Sequence, residues 1–407
     1  MTTNTGSSTS ELPGRNGKPL VLLYLLTAVM SLGYGSVFTL LADIRDRFGF
    51  SDSDVGLIAF AGFATGFLSQ VFLARFADRG HAARMVRLGV AIATLGMVCM
   101  VFADPLWQWV GARLLLGFGS GMVGPAVRRL VIARDPDNVG ANLGRQTAFD
   151  VAGFVLGPLI AAVFAQLFGL RAPFVVLAIL YVIAFALVGR IPFGDTGVAG
   201  DGHRAIRNLV RLPAVQSALL AAIAFYLTLG MFEALWSVLL RDLGAETWLI
   251  GLTLSIFTIP MIIFAPRGGA LAQSRGPIMV VTSSILVAAA CTFIYGIGPL
   301  WLLIVVSGIH AVADAYTMPA NQVAVAMASP PDQIATGQGL LGATGLAVAG
   351  LSAVVGAAVY DAFGRSAVFS GTAVLMVILV GAARWRWNAA PPAGLAASQP
   401  KPLPTDR

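Results

Sequence analysis

Ala74-Arg75-Phe76-Ala77-Asp78-Arg79-Gly80-His81-Ala82-Ala83-Arg84 is a short charged stretch between two long apolar runs. It reads in two ways. Charges at the ends of apolar runs mark a membrane border, where a solvated turn reverses the chain. The same charges can form a latch between two transmembrane helices. A border turn has no need of Asp78 followed by Arg79 at a helix end, and this favours the latch.

The flanking runs belong to a longer series. Of the 407 residues, 57% are hydrophobic and 11% charged, against roughly 25% charged in soluble domains. Water cannot solvate such a surface, so the chain is read as a membrane protein. A bilayer span needs about 20 mostly apolar residues. Twelve runs qualify, at 19–42, 53–74, 84–103, 107–132, 145–168, 171–190, 213–240, 247–267, 277–297, 299–328, 336–360 and 365–387. All are expected to be helical, because an open sheet edge cannot survive in hydrocarbon.

The 26 Lys and Arg fix a direction. With the N-terminus inside, twenty fall on inner segments, five (Arg45, Arg47, Arg171, Arg241, Arg365) on outer ones, and Arg113 within a run. This bias predicts cytoplasmic termini in an inner or plasma membrane. The net charge of +7 is therefore spread over short turns, the pattern of loops at an anionic leaflet rather than of a nucleic-acid stripe. Cys99 and Cys291 each sit inside an apolar run and read as small apolar fillers, not a disulfide or a metal site. The first apolar run is too long for a signal-peptide core, so no cleaved leader is expected.

The polar, Gly-rich segment 191–212 splits the runs six and six. The expected order is a disordered cytoplasmic tail (1–18), a six-helix bundle (19–190), a cytoplasmic linker (191–212), a second bundle (213–387) and a disordered Ala/Pro-rich tail (388–407). A shift of 195 residues supports the division. It aligns Phe48-Gly49 with Leu243-Gly244, Gly56-Leu57 with Gly251-Leu252, Ala74 to Ala77 with Gly269 to Ala272, and Phe168-Gly169 with Phe363-Gly364. One unbroken offset through four loop regions points to a duplicated six-helix unit.

Over about residues 19 to 387 the chain resembles the major facilitator superfamily. Ala77-Asp78-Arg79 matches that family's loop between helices 2 and 3, Gly-x-Leu-Ala-Asp-Arg-x-Gly-Arg-Arg, with Ala74 for the first Gly and Phe76 for the Leu. Gly80 to Arg84 carries fewer basic residues than the family pattern. The second-half counterpart, Ala272-Gln273-Ser274, has Gln273 in place of the acid. Arg113 to Gly121 is similar to the helix 4 motif Arg-x-x-x-Gly-x-Gly-x-Gly. Gly153-Phe154-Val155-Leu156-Gly157-Pro158 resembles the helix 5 motif Gly-x-x-x-Gly-Pro of the drug:proton antiporter branch. The resemblance implies an all-α membrane protein of twelve transmembrane helices in two pseudo-symmetric six-helix bundles, with substrate bound near the midplane between them.

Ionisable side chains inside spans are costly and usually line a cavity or pair. Five are candidates for proton coupling: Arg113, Asp150, Glu233, His310 and Asp314. Arg113 either snorkels to the outer interface or, as the motif resemblance implies, is a buried cation that tunes a nearby carboxylate. Asp150 either pairs with an inner-face arginine such as Arg145 or the Asp78/Arg79 loop, or binds protons or substrate. Glu233 is expected at a cavity, as proton carrier or counter-ion to a cationic substrate. His310 and Asp314 are four apart and share one helix face. Asp78, Arg79 and Arg84 are expected to form a cytoplasmic gate. Gly153, Gly157 and Pro158 are expected to form a close helix seam with a kink. Tyr34, Trp236 and Tyr316 are taken as substrate-cavity candidates, from a group that includes Phe149 and Tyr226.

No phosphate loop, Gly-x-Ser-x-Gly or metal-ligand cluster is present in the sequence, so no enzyme and no cofactor is expected. The reading is a secondary transporter, expected to be monomeric, with protons, a small molecule and the lipid bilayer as its partners. Proton-coupled export of small amphiphilic or drug-like compounds is the first expectation. An importer or facilitator of a small metabolite, or a non-transporting sensor or scaffold, is the alternative.

Overall fold

Every backbone amide in hydrocarbon must find a protein partner, and the described residues meet this with helices. A computed structural model describes residues 18–189 and 205–389. The helices are α1 (Lys18–Phe48), α2 (Asp52–Phe76), α3 (Ala82–Phe102), α4 (Leu106–Arg134), α5 (Val139–Phe168), α6 (Ala172–Gly189), α7 (Ala205–Leu209), α8 (Pro213–Asp242), α9 (Thr247–Arg275), α10 (Pro277–Ile297), α11 (Leu300–Ala328) and α12 (Ile334–Ala389). Helix α12 breaks at Gly364 (φ 77°, ψ 178°) into two arms. With α7 set aside as a single short turn, the arms bring the crossings to twelve. The expected tails and most of the expected linker lie outside the described residues, but the linker's last part is α7.

Local chemistry sets the helix limits. Ser51 and Asp54 form a reciprocal capping box that starts α2. Pro213 and Pro277 occupy first turns, where the missing N–H costs nothing. Positive-φ glycines reverse the chain, and four of them pair at the 195-residue offset: Gly49 with Gly244 and Gly169 with Gly364. The duplicated reading of the sequence therefore has a backbone counterpart.

The halves also pack alike. In the first, α1 packs on α5, and α4 lies against α2 and α3; in the second, α8 packs on α12, and α11 against α9 and α10. The glycines of α4 explain one such sandwich. A Cβ on Gly117 or Gly121 would run into the carbonyl oxygens of Gly62 or Gly66 in α2, and one on Gly119 would run into Gly89 O in α3. Small residues at alternate positions thus let α4 approach two neighbours at once. Contact between the halves is carried mainly by α5 against α9 and by α2 against the first arm of α12. Twelve crossings return the chain to its starting side, so Lys18 and Ala389 share one face, the terminal face.

Candidate functional site

The charged stretch between α2 and α3 closes one seam between the halves. Residues Ala77–His81 form a tight turn, with Gly80 at φ 84°, that leaves Asp78 3% exposed. Asp78 Oδ1 accepts from Ala335 N at 2.7 Å, and Oδ2 accepts from Thr336 N and Thr336 Oγ1 at 2.8 Å each. The two backbone N–H groups are orphan donors of the first turn of α12, capped by a carboxylate from the opposite half. The positive end of the helix favours the anion. Arg129 Nε of α4 lies 3.6 Å from Asp78 Oδ1.

The second seam repeats this with neutral groups. Gln273, at the end of α9, accepts from Gly140 N at 2.6 Å and donates from Nε2 to Asp137 O at 3.0 Å. The offset of 195 relates Asp78 to Gln273 and Gly140 to Ala335. Beside it the backbones almost touch: a Cβ on Gly140 would overlap Gly269 O, and one on Gly144 would overlap Ala265 O. Deeper along the interface Thr147 Oγ1 donates to Gln322 Oε1 at 3.3 Å. The two seams lie at the terminal-face ends of α2, α5, α9 and α12.

The expected gate of Asp78, Arg79 and Arg84 needs correcting. Arg84 is exposed and forms no ion pair among the described residues. Arg79 lies over the Phe76 ring at 5.6 Å. The cation at Asp78 is Arg129, which sequence reasoning missed. So did it miss Gly140, Gly144 and Gly269, although the Gly140-x-x-x-Gly144 spacing is a small-residue contact signal.

Further into the bundle, α5 presents Asp150. It accepts a hydrogen bond from Ser31 of α1, and its charged neighbour is Arg128 of α4. Arg145, the expected partner, donates to Asn142 Oδ1 at 3.0 Å instead. Arg128 of α4 and Asp150 lie near enough to Tyr226 of α8 to act on it electrostatically across the interface. Glu233 lies seven residues, two turns, beyond Tyr226 on the same face of α8 and is exposed. Tyr34, half-buried, meets Phe63 edge-on at 6.0 Å. Tyr316 stacks on Phe264 at 6.5 Å.

Arg113 is fully buried, which rules out the snorkelling alternative. Its guanidinium lies over the Tyr34 ring at 4.5 Å. Gly62 leaves the space: a Cβ there would stand 2.9 Å from the guanidinium. A cation held over an aromatic face is a stable solution in low dielectric.

Three further expectations resolve inside single halves. Gly153 and Gly157 press on α1, where a Cβ would overlap Ala28 O and Leu32 O respectively; Pro158 Cδ lies against Gly35. That seam joins α5 to α1 and does not cross the interface. His310 and Asp314 are buried between α9, α10 and α11, with His310 Nε2 3.6 Å from Asp314 Oδ1 and Tyr295 Oη 3.1 Å from His310 Nδ1. Trp236 is not a cavity residue. It is 1% exposed, its Nε1 donates to Thr253 Oγ1 at 3.0 Å, and it stacks with Phe232 at 4.7 Å.

The two halves thus meet along two hydrogen-bonded seams at one face. Among known proteins, the model of the Major Facilitator Superfamily matches residues 23–232 and 218–405. The multidrug resistance protein MdtG of Dickeya zeae is 26% identical over 283 residues, 66% of this chain and 68% of that protein. MdtG of Yersinia enterocolitica is 25% identical over 254 residues, 59% and 61% of the two chains. Among solved structures, FucP, a major facilitator transporter in the outward conformation, superposes with a TM-score of 0.75 at 16% identity, covering 90% of this chain and 98% of that one. The human organic anion transporter MFSD10 gives 0.72 at 14%, covering 91% and 100%. At such identities the structural likeness shows the fold alone.

Proposed function

We propose that this chain, which belongs to the Major Facilitator Superfamily, exports small amphiphilic or drug-like compounds in exchange for protons, by alternating access. The observation that carries the transport reading is the pair of crossed caps, Asp78 on α12 and Gln273 on α5. Both are hydrogen-bonded contacts between halves that rocking would break and remake. Drug export is supported by the multidrug resistance proteins to which the chain is similar. The terminal face is taken as cytoplasmic, from the arginine and lysine bias, in an inner or plasma membrane. The closed seams then belong to an outward-facing form, and the protein works as a monomer.

In this reading Asp150 and Glu233 face the cleft and alternate between proton and substrate. Protonating Asp150 would remove the charge beside Arg128. That frees Arg128, and with it the α4 end bearing Arg129, to respond at the Asp78 latch. Glu233 would counter a cationic substrate, with Tyr34 and Tyr316 giving aromatic faces. Arg113 holds α1, α2 and α4 in register, and the His310–Asp314 pair is a second proton store inside the C-terminal half. In inverted vesicles with an imposed proton gradient, a drug such as ethidium should dissipate the gradient. Uptake of the drug into right-side-out cells on the same gradient would overturn export.

A further inference from the structure

The terminal-face corner of the second half holds cations that the latches do not use. Helix α7 folds back on the bundle through Leu209, which is fully buried against Ala214, Val215 and Ala328, with Trp387 of α12 packed beside them. Gln216 Nε2 donates to Val210 O at 2.9 Å and fixes the exit from α7. The same docking leaves Arg207 and Arg211 exposed on one segment, and Arg384, Trp385 and Arg386 exposed on the other. Arg386 lies 5.5 Å from the centre of the Trp385 ring.

Nothing acidic balances this corner among the described residues. Residues 205–232 and 362–389 contain no Asp or Glu, and none of the four arginines forms an ion pair among the described residues. Asp332, which follows α11, acts on Arg129 at the latch instead. Arg207 of α7, Arg211 just after it, and Arg384 and Arg386 of α12 flank one hydrophobic cluster, with the exposed Trp385 between the last two, and such a basic corner matches an anionic phosphodiester at the membrane–water border. Arginine forks bind phosphate oxygens, and Trp settles at headgroup depth. Basic residues near a bilayer also attract anionic lipid over a short range.

We propose that Arg207, Arg211, Arg384 and Arg386, with Trp385, form a binding site for the headgroup of an anionic phospholipid. The occupant is a lipid of the leaflet at the terminal face, and the bound phosphate ties α7 to the end of α12. The site rests on the placement of that face at a leaflet. It does not depend on the cargo or on proton coupling.

The test is native mass spectrometry of the full chain in detergent, with phosphatidylglycerol and phosphatidylcholine as probes. Phosphatidylglycerol should bind preferentially, and Arg384→Gln/Arg386→Gln and Arg207→Gln/Arg211→Gln should each weaken it roughly tenfold or more. Arg45→Gln/Arg47→Gln, which removes equal charge from the opposite face, should leave binding unchanged. Glycerol 1-phosphate, the headgroup chemistry without chains, should not displace the lipid at millimolar concentration. Equal binding of the two lipids, an equal loss in the control variant, no loss in the corner variants, or displacement by glycerol phosphate would each overturn the site. Lipid binding in detergent needs no transport, so this failure and failure of the export reading are separate results.

Discussion

Asp78 and Gln273, 195 positions apart, each end a helix of their own half and cap the first turn of a helix in the other. The two contacts are related by the same offset as the internal repeat, yet one is ionic and the other neutral. A duplicated unit has kept the geometry of a latch while its chemistry diverged. The charged copy has Arg129 and a helix N-terminus on one carboxylate. The neutral copy has an amide that both donates and accepts.

Asp78→Asn should open the terminal face. The asparagine amide retains one acceptor oxygen but loses the charge facing the α12 N-terminus and Arg129. Loss of a charged cap is worth about 1–2 kcal/mol, which is roughly a tenfold shift in an equilibrium. A Thr147→Cys reporter, in a background lacking Cys99 and Cys291, sits at the interface under the seam and reads the change. Its labelling should rise about tenfold. Unchanged labelling would return the stretch to being a turn.

Gln273→Ala should act in the same direction and more weakly. Its two bonds are neutral, and at about 0.5 kcal/mol net each, the low end for such bonds, they sum to about 1 kcal/mol. The same reporter should show a smaller rise, on the order of fivefold. The double variant should give the sum of the two free energies, because each residue caps a different helix. A Gln273 effect as large as that of Asp78 would contradict the difference in their chemistry.

How much of this was legible in the sequence varies with the kind of contact. Span count and duplication follow from hydropathy and a fixed offset, and both depend on local composition. Asp78 stands out because an acid at a helix end inside a basic turn is unusual. Its partner does not: Arg128 and Arg129 are adjacent and alike, yet only Arg129 comes within ion-pair distance of Asp78. Only the 100° turn between consecutive helix residues separates them. Trp236 misled because an aromatic beside an acid resembles a cavity wall. The helix left Glu233 exposed and turned Trp236 into the core. Arg113 misled because burial in a span suggests a carboxylate partner, while the fold supplied a tyrosine ring.

The two glycine seams of α5 should separate folding from gating. Gly157 packs on α1 within one half, so Gly157→Leu should lower thermal stability and membrane abundance, as overpacking costs about 1–3 kcal/mol or more. Gly269 packs across the halves on Gly140, so closely that a methyl group on either would overlap the facing carbonyl oxygen. Gly269→Leu should leave abundance near that of the parent and block closure. Exchange should fall while Thr147→Cys labelling rises. Equal abundance loss in both variants would remove the distinction between the seams.

Asp150 and Asp314 should also part company. Asp150 bonds Ser31 and lies within electrostatic reach of Arg128 and Tyr226 near the interface, where, in the proposed mechanism, its proton would affect both halves. Asp314 is enclosed in one half beside His310, where an uncharged amide of equal size keeps most of the packing. Asp150→Asn should therefore abolish drug-dependent dissipation of the proton gradient while drug binding, followed by thermal shift, persists. Asp314→Asn should change the melting temperature more than the exchange rate. Asp150→Asn with full exchange, together with Asp314→Asn without any, would move the coupling site from the interface into the C-terminal half.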